Sequence, residues 1–191
     1  MPRELAGKDV CPKSRRAVHG NETANLFMET CHLRAATVAD LAAINAIYNH
    51  YVVSSTCTYQ LEPATAADRA AWFAAHGPEH PVLVAELGGE VVGWGSLSTF
   101  HSRAAFRRTV EDSVYLRHDR QRRGIGGALL AELITRARAA GHHTIVAAID
   151  GEQAGSVVLH EQHGFTMAGR LHAVGNKFGR WLDLVYMERL L

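Results

Sequence analysis

The residues best placed to do chemistry lie together between Thr109 and Leu130, in the stretch TVEDSVYLRHDRQRRGIGGALL. It carries two neighbouring acids, Glu111 and Asp112. Beyond them Arg120, Arg122 and Arg123 crowd against Gly124, Gly126 and Gly127. Glycines let a chain turn tightly and present bare backbone N–H groups, and arginines beside them add positive charge. A loop of that kind at a helix start suits a phosphate group.

Three phosphate loops are compatible with such a composition, and two fail on spacing. A P-loop closes G-x-x-x-x-G with Lys-Ser/Thr, which is missing here. A dinucleotide fingerprint requires G-x-G-x-x-G, but Leu129 stands at the third glycine position. The third is Q/R-x-x-G-x-G/A, met by Gln121-Arg122-Arg123-Gly124-Ile125-Gly126. This pattern resembles the acetyl-CoA pyrophosphate loop of the GCN5-related N-acetyltransferases (GNAT). Its setting between an acid-bearing strand and an amphipathic helix strengthens the resemblance.

The elements that must position these residues follow from periodicity. Residues 109–116 alternate, with Val110, Asp112, Val114 and Leu116 on one face and Thr109, Glu111, Ser113 and Tyr115 on the other, which predicts a strand. Ala128, Leu129, Leu133, Ile134 and Ala137 recur at helical spacing after the loop. A strand over Thr144–Ile149 then completes a parallel βαβ unit.

Upstream, Leu33–Ala35 reads as a first strand. Thr37-x-x-Asp40 is a capping-box start for a helix whose stripe is Val38, Leu41, Ile44, Ile47 and Tyr51. Val52–Tyr59, β-branched and rich in Ser and Thr, reads as a strand. Thr65-x-x-Asp68 caps a second helix through Trp72 and Phe73. Strands Val82–Leu87 and Glu90–Leu97 flank Gly88-Gly89, a hairpin signal. Downstream, a short helix spans Ser156–His163 with Gly164 as its stop, a loop covers Leu171–Arg180, and a last strand covers Trp181–Glu188. Antiparallel strands followed by a parallel βαβ unit give an α/β mixed sheet, one domain over residues 32–191. Residues 1–31 read as a disordered extension, and Met28 is an alternative start.

Bulk properties narrow the function. Twenty basic and 19 acidic residues give a net charge of +1, so the arginine cluster is local and nucleic acid is not the expected partner. No stretch approaches the roughly 20 apolar residues of a membrane span, and no apolar segment follows the basic N-terminal residues as a signal peptide requires. Cys11, Cys31 and Cys57 form no paired or metal spacing. A cytoplasmic enzyme with reduced thiols is expected.

The resemblance extends beyond the loop to one branch of the family, the phosphinothricin and methionine sulfoximine/sulfone acetyltransferase group. It is carried by Tyr48-Asn49, Trp72-Phe73, Arg103, Thr109–Tyr115, Ser156, Leu159-His160-Glu161, Gly164-Phe165 and Gly175–Asp183. It implies acetyl-CoA as donor, a small amine acceptor, a homodimer and no metal. It further implies Glu111 as the base and His160 as a histidine near the thioester for which a base role also exists. Val114, Tyr115 and Leu116 would face pantetheine, and Arg122, Arg123, Gly124, Ile125, Gly126 and Gly127 the pyrophosphate. His101, Ser102 and Arg103, with Glu111, Asp112 and Ser113, would line the acceptor pocket, Arg103 facing a carboxylate. Gln153 replaces a frequent Asn contact to acetyl-CoA, and Phe106 stands where some members carry Tyr. No cysteine is expected at the site, so the acetyl group would pass directly between two bound substrates.

Blander roles compete with these. A histidine on a short helix is more often packed or capping than catalytic, and His160-Glu161-Gln162-His163 is one residue short of the zinc-binding H-E-x-x-H. Other acceptors compete too: a polyamine, an aminoglycoside or a protein N-terminus. A non-catalytic acyl-CoA sensor would keep the loop and could dispense with Glu111.

Overall fold

The computed structural model describes residues 31–191. The predicted Met28 start and the extension up to residue 30 lie outside them. Seven strands form one sheet in the order β1-β2-β3-β4-β5-β7-β6. They are β1 (His32–Ala35), β2 (Val82–Leu87), β3 (Glu90–Thr99), β4 (Thr109–Leu116), β5 (Thr144–Asp150), β6 (Thr166–Lys177) and β7 (Arg180–Leu190). The helices are α1 (Leu41–Ser54), α2 (Ala66–Ala74), α3 (Ile125–Ala139) and α4 (Ala154–Gln162). All neighbours are antiparallel except β4 and β5, as the mixed-sheet expectation requires.

The sheet is covered on both faces. On one, α3 buries Ile125, Leu129, Leu130, Leu133 and Ala137 against Leu83, Leu97, Val110, Ile145 and Met187. On the other, α1 and α2 bring Ile44, Ile47, Trp72 and Phe73 onto Val84 and Trp94. The β2–β3 turn uses Gly88 and Gly89 at φ 57° and 83°, the left-handed pair a two-residue hairpin needs. The Asp40 carboxylate accepts from the Thr37 N–H at 2.7 Å and from both terminal nitrogens of Arg34 at 2.8 Å, tying β1 to the start of α1. Among the described residues, no helix is long and apolar enough to cross a membrane.

Three expectations fail. Val52–Tyr59 is not a strand: α1 runs to Ser54 and the chain continues as an irregular loop. Val52 is fully buried, and that packing overrides the weak helix propensity of β-branched residues. The segment Leu171–Arg180 is not a loop but most of the edge strand β6 and its turn into β7. Register shifts after Met167 and Leu171 break its alternation, and its exposed face asks for no apolar period. Val38 is 73% exposed and leaves the α1 stripe.

Candidate active site

Parallel pairing between β4 and β5 lasts only from Thr109/Thr144 to Glu111/Val146. Beyond that the strands splay, while β4 stays bonded to β3 and β5 to β7 on their outer sides. Apart from Leu116 O, the facing edges of residues 112–116 and 147–150 are left without strand partners, as a bound chain with amides would need. α3 begins at the foot of this gap. Its N-cap Gly124 holds φ 78°, a left-handed geometry natural to glycine. The first helical bond runs from Ala128 N to Gly124 O, so the N–H groups of Ile125, Gly126 and Gly127 have no partner within the helix. Arg122, a non-glycine at φ 57°, precedes the cap. Gln121 donates to the Tyr51 hydroxyl at 2.8 Å, and that hydroxyl donates to Leu116 O at 2.6 Å, fixing the loop against α1.

A cavity fills this gap, bordered by Val114, Tyr115, Leu116, Arg122, Gly126, Gln153, Ser156 and His160. Free amide edges, a helix N-terminus and Arg122 fit the chemistry of a phosphorylated pantetheine thioester. Arg123 stays exposed, and Gly124, Ile125 and Gly127 shape the helix start without bordering the cavity.

A second cavity opens on the α1–α2 face, bordered by Tyr48, Arg69, Trp72, Trp94, Ser96, Ser98, Glu111 and Tyr186. The two cavities share Cys57, Asp112, Ser113, Tyr115, Ala148 and Asp150 as a common wall. The Glu111 carboxylate has no hydrogen-bond partner among the described residues. Burial, and secondarily the Asp112 charge, pushes its pKa above the ordinary glutamate value. A desolvated, unpaired carboxylate is a better proton acceptor at neutral pH than an exposed one.

Asp112 and His160 face each other across the sheet from Glu111. His160 Nε2 lies 3.1 Å from Asp112 Oδ2, and Nδ1 lies 2.7 Å from Ser156 O. A carbonyl only accepts, so Nδ1 carries a proton. A neutral ring would then point a lone pair at a carboxylate. An imidazolium would donate from both nitrogens, while Asp112 Oδ1 stays buried without a hydrogen-bond partner among the described residues. Burial pulls the His160 pKa down, but the hydrogen bond and charge of Asp112 outweigh it and leave it raised. The raised pKa and the Nδ1 contact to Ser156 O both favour a ring that donates to Asp112 Oδ2.

His101, Ser102, Arg103 and Phe106 are exposed on the loop before β4 and border neither cavity. Several residues that do border the site escaped sequence reasoning: Arg69, Trp94, Asp150 and the loop 55–60. The T-x-x-D start of α2 was the one available signal, since it places Arg69 on the first turns beside Trp72. The expected absence of cysteine is overturned, because that loop folds across both cavities and carries Cys57. Burial raises its thiol pKa, the opposite of what a nucleophilic cysteine needs. Among the described residues, no group of three His, Cys, Asp or Glu side chains is placed to hold a metal ion.

Residues 33–186 match the acetyltransferase (GNAT) domain family. This chain is a GNAT acetyltransferase. GNAT enzymes use acetyl-CoA, and the cavity between β4 and β5 has groups whose chemistry fits it. The L-methionine sulfoximine/L-methionine sulfone acetyltransferase of Pseudomonas paraeruginosa is 46% identical over 158 residues, 82% of this chain and 92% of that protein. A phosphinothricin N-acetyltransferase of Streptomyces viridochromogenes is 38% identical over 157 residues, 82% of this chain and 86% of its own length. The crystal structure of a GNAT phosphinothricin acetyltransferase from Sinorhizobium meliloti with AcCoA superposes at TM-score 0.82 with 40% identity. It covers 85% of this chain and 89% of that one.

The loop 55–60 is pinned by one buried cation. Lys177 is 2% exposed, and its Nζ donates to Ser55 O and Thr58 O, each at 2.7 Å. Lys177→Met is expected to cost about 2–4 kcal/mol in urea unfolding, because two buried carbonyls lose charged donors. It should also raise KM for donor and acceptor together, since the loop borders both cavities. Unchanged KM values would mean that the loop is held by other contacts.

Proposed function

We propose that the protein transfers the acetyl group of acetyl-CoA to the α-amine of a small L-amino acid or analogue of the methionine sulfone, methionine sulfoximine or phosphinothricin type. The observation that carries this is the shared wall between the two cavities, with the unpaired Glu111 carboxylate beside it on the acceptor side. The relatives' acceptors support the substrate class.

An α-amine is mostly protonated at neutral pH and cannot attack a thioester in that form. Glu111 takes the proton, the freed amine nitrogen bonds to the thioester carbonyl carbon, the C–S bond breaks, and the CoA thiolate leaves, taking up the second proton that the new amide nitrogen sheds. Holding both substrates across one wall removes the entropic cost of bringing them together. Cys57, with its thiol pKa raised, is not asked to carry the acetyl group. The Asp112–His160 pair keeps its proton and positions the wall. His101, Ser102, Arg103 and Phe106 would reach the acceptor only through a change in the loop or a neighbouring copy of the chain. The working unit in this reading is residues 32–191 as one domain, in a cytoplasmic homodimer. The exposed apolar side chains Met167, Leu171, Val174 and Trp181 along β6 and β7 support an association surface.

The test is thiol release from acetyl-CoA against phosphinothricin, methionine sulfoximine, methionine sulfone, ordinary L-amino acids, spermidine and an aminoglycoside. Turnover is expected with the amino-acid analogues. Turnover with spermidine or the aminoglycoside alone would overturn the acceptor class. Acetyl-CoA binding with no turnover at all would point to a sensing module instead.

A further inference from the structure

Among the described residues, no acidic side chain pairs with the Arg69 guanidinium. Arg69 is 5% exposed, and among the described residues its guanidinium makes one hydrogen bond, from Nε to Asn45 Oδ1 at 3.2 Å. Its central carbon lies 4.8 Å from the Tyr48 ring centroid, 4.6 Å from Trp72 and 5.7 Å from Trp94. Such stacking softens the cost of burying a cation but supplies no hydrogen-bond acceptor to its terminal nitrogens.

The acids that border the same cavity are engaged elsewhere or stand unpaired. Asp68 accepts from Thr65, Asp150 from the Thr56 hydroxyl, and Asp112 faces His160. Glu111 has no partner, and no ion pair forms between it and Arg69. Arg69 lies over the Trp94 ring, and Trp94 in turn stacks on Tyr115 with centroids 5.0 Å apart. Glu111 and Tyr115 are four residues apart on one face of β4, a Cα separation of ~13 Å. The cavity therefore has an acid at one end and a bare cation at the other. The Trp94 Nε1 beside the cation is buried without an acceptor as well, so this wall is rich in donors and short of acceptors.

We infer that Arg69 binds an anionic oxyacid group of the acceptor and so selects a zwitterion over a polycation. This rests on the acetyl-transfer reading above and deepens it. The terminal guanidinium nitrogens would take two oxygens of a carboxylate or phosphinate, a geometry arginine matches and lysine does not. The acceptor's amine would then point toward Glu111.

The experiment compares methionine sulfone with its α-carboxamide, and phosphinothricin with its α-carboxamide, by kcat/KM. The enzymes are wild type, Arg69→Lys and Asn45→Asp. The first variant keeps the charge and loses the fork. The second places a carboxylate at the Arg69 Nε, supplying the missing counter-ion from within the protein. Wild type should prefer the free acid of methionine sulfone to its amide, and both variants should shrink that preference ~10–100-fold. Acetyl-CoA affinity by calorimetry should stay unchanged, which reports that the variants are folded. Wild-type turnover of phosphinothricin amide that matches the free acid and falls in both variants assigns the phosphinate as the anion held. A free-acid preference as large in both variants as in wild type overturns the role of Arg69 while leaving the acceptor class intact. Wild type that acetylates neither acid but does acetylate spermidine overturns the acceptor class, and Arg69 with it.

Discussion

Glu111→Gln is expected to lower kcat/KM for the acceptor by ~10²–10⁴-fold, the usual contribution of a positioned base. The isostere keeps the shape of the wall and removes only the capacity to take a proton, so KM for acetyl-CoA should hardly change. The pH profile separates this from a structural effect. Burial, with the Asp112 charge second, raises the Glu111 pKa above its ordinary 4.5. In wild type, kcat/KM should fall as the pH drops through that raised value, because the base becomes protonated. In the glutamine variant this acid limb should disappear. An acid limb retained at the same position in Glu111→Gln would assign proton transfer to another group. Asp150, 2% exposed and bordering both cavities, is the first to examine.

The second large effect concerns stability. Asp112→Ala would strand a buried imidazole: Ser156 O keeps its Nδ1 proton while Nε2 faces a void. Removing one member of a buried ion pair costs about 3–5 kcal/mol, or roughly 6–20 °C in melting temperature for a domain of this size. Asp112→Asn should recover much of this, since its amide N–H can donate to the Nε2 of a neutral ring. The two proteins should also differ in pH dependence. His160 has its folded pKa raised above the ordinary imidazole value of 6.5, so the pair's contribution is complete below 6.5 and is lost as pH rises through the folded value. The stability gap between wild type and Asp112→Asn should therefore be widest below pH 6.5 and narrow above it. Denaturant midpoints from pH 5 to 9 would show this. A gap that stays constant across that range would mean that His160 is neutral throughout.

The elements around the β4–β5 gap were legible in the sequence and the walls of the other cavity were not, for physical reasons. A strand with one buried and one functional face must alternate, so β4 and the positions of Glu111 and Asp112 on opposite faces follow from residues 109–116 alone. A left-handed N-cap favours glycine, so Gly124 marks the start of α3. No such local rule announces Arg69, whose meaning lies in three aromatic rings contributed by α1, α2 and β3. Asp112 stood out as one of two neighbouring acids on an alternating strand, yet its partner is 48 residues away on α4. Cys57 was missed because the loop that carries it is held by Lys177, across 119 residues. The edge strand β6 was hidden by its own register shifts and by the lack of any core to face on its outer side.

The two halves of the site are made of different material. The gap between β4 and β5 offers chiefly peptide edges and a helix end, groups that most residue types supply, with Arg122, Gln153, Ser156 and His160 beside them. The cavity beside Glu111 is walled by particular side chains. Point substitution can therefore rewrite one chamber while the other persists nearly unaltered, because changing a residue leaves its peptide group in place. A lineage built this way can explore new amines without relearning how to hold its acetyl donor. The relatives that share this fold but are named for different acceptors are what such a division of labour would produce over evolutionary time.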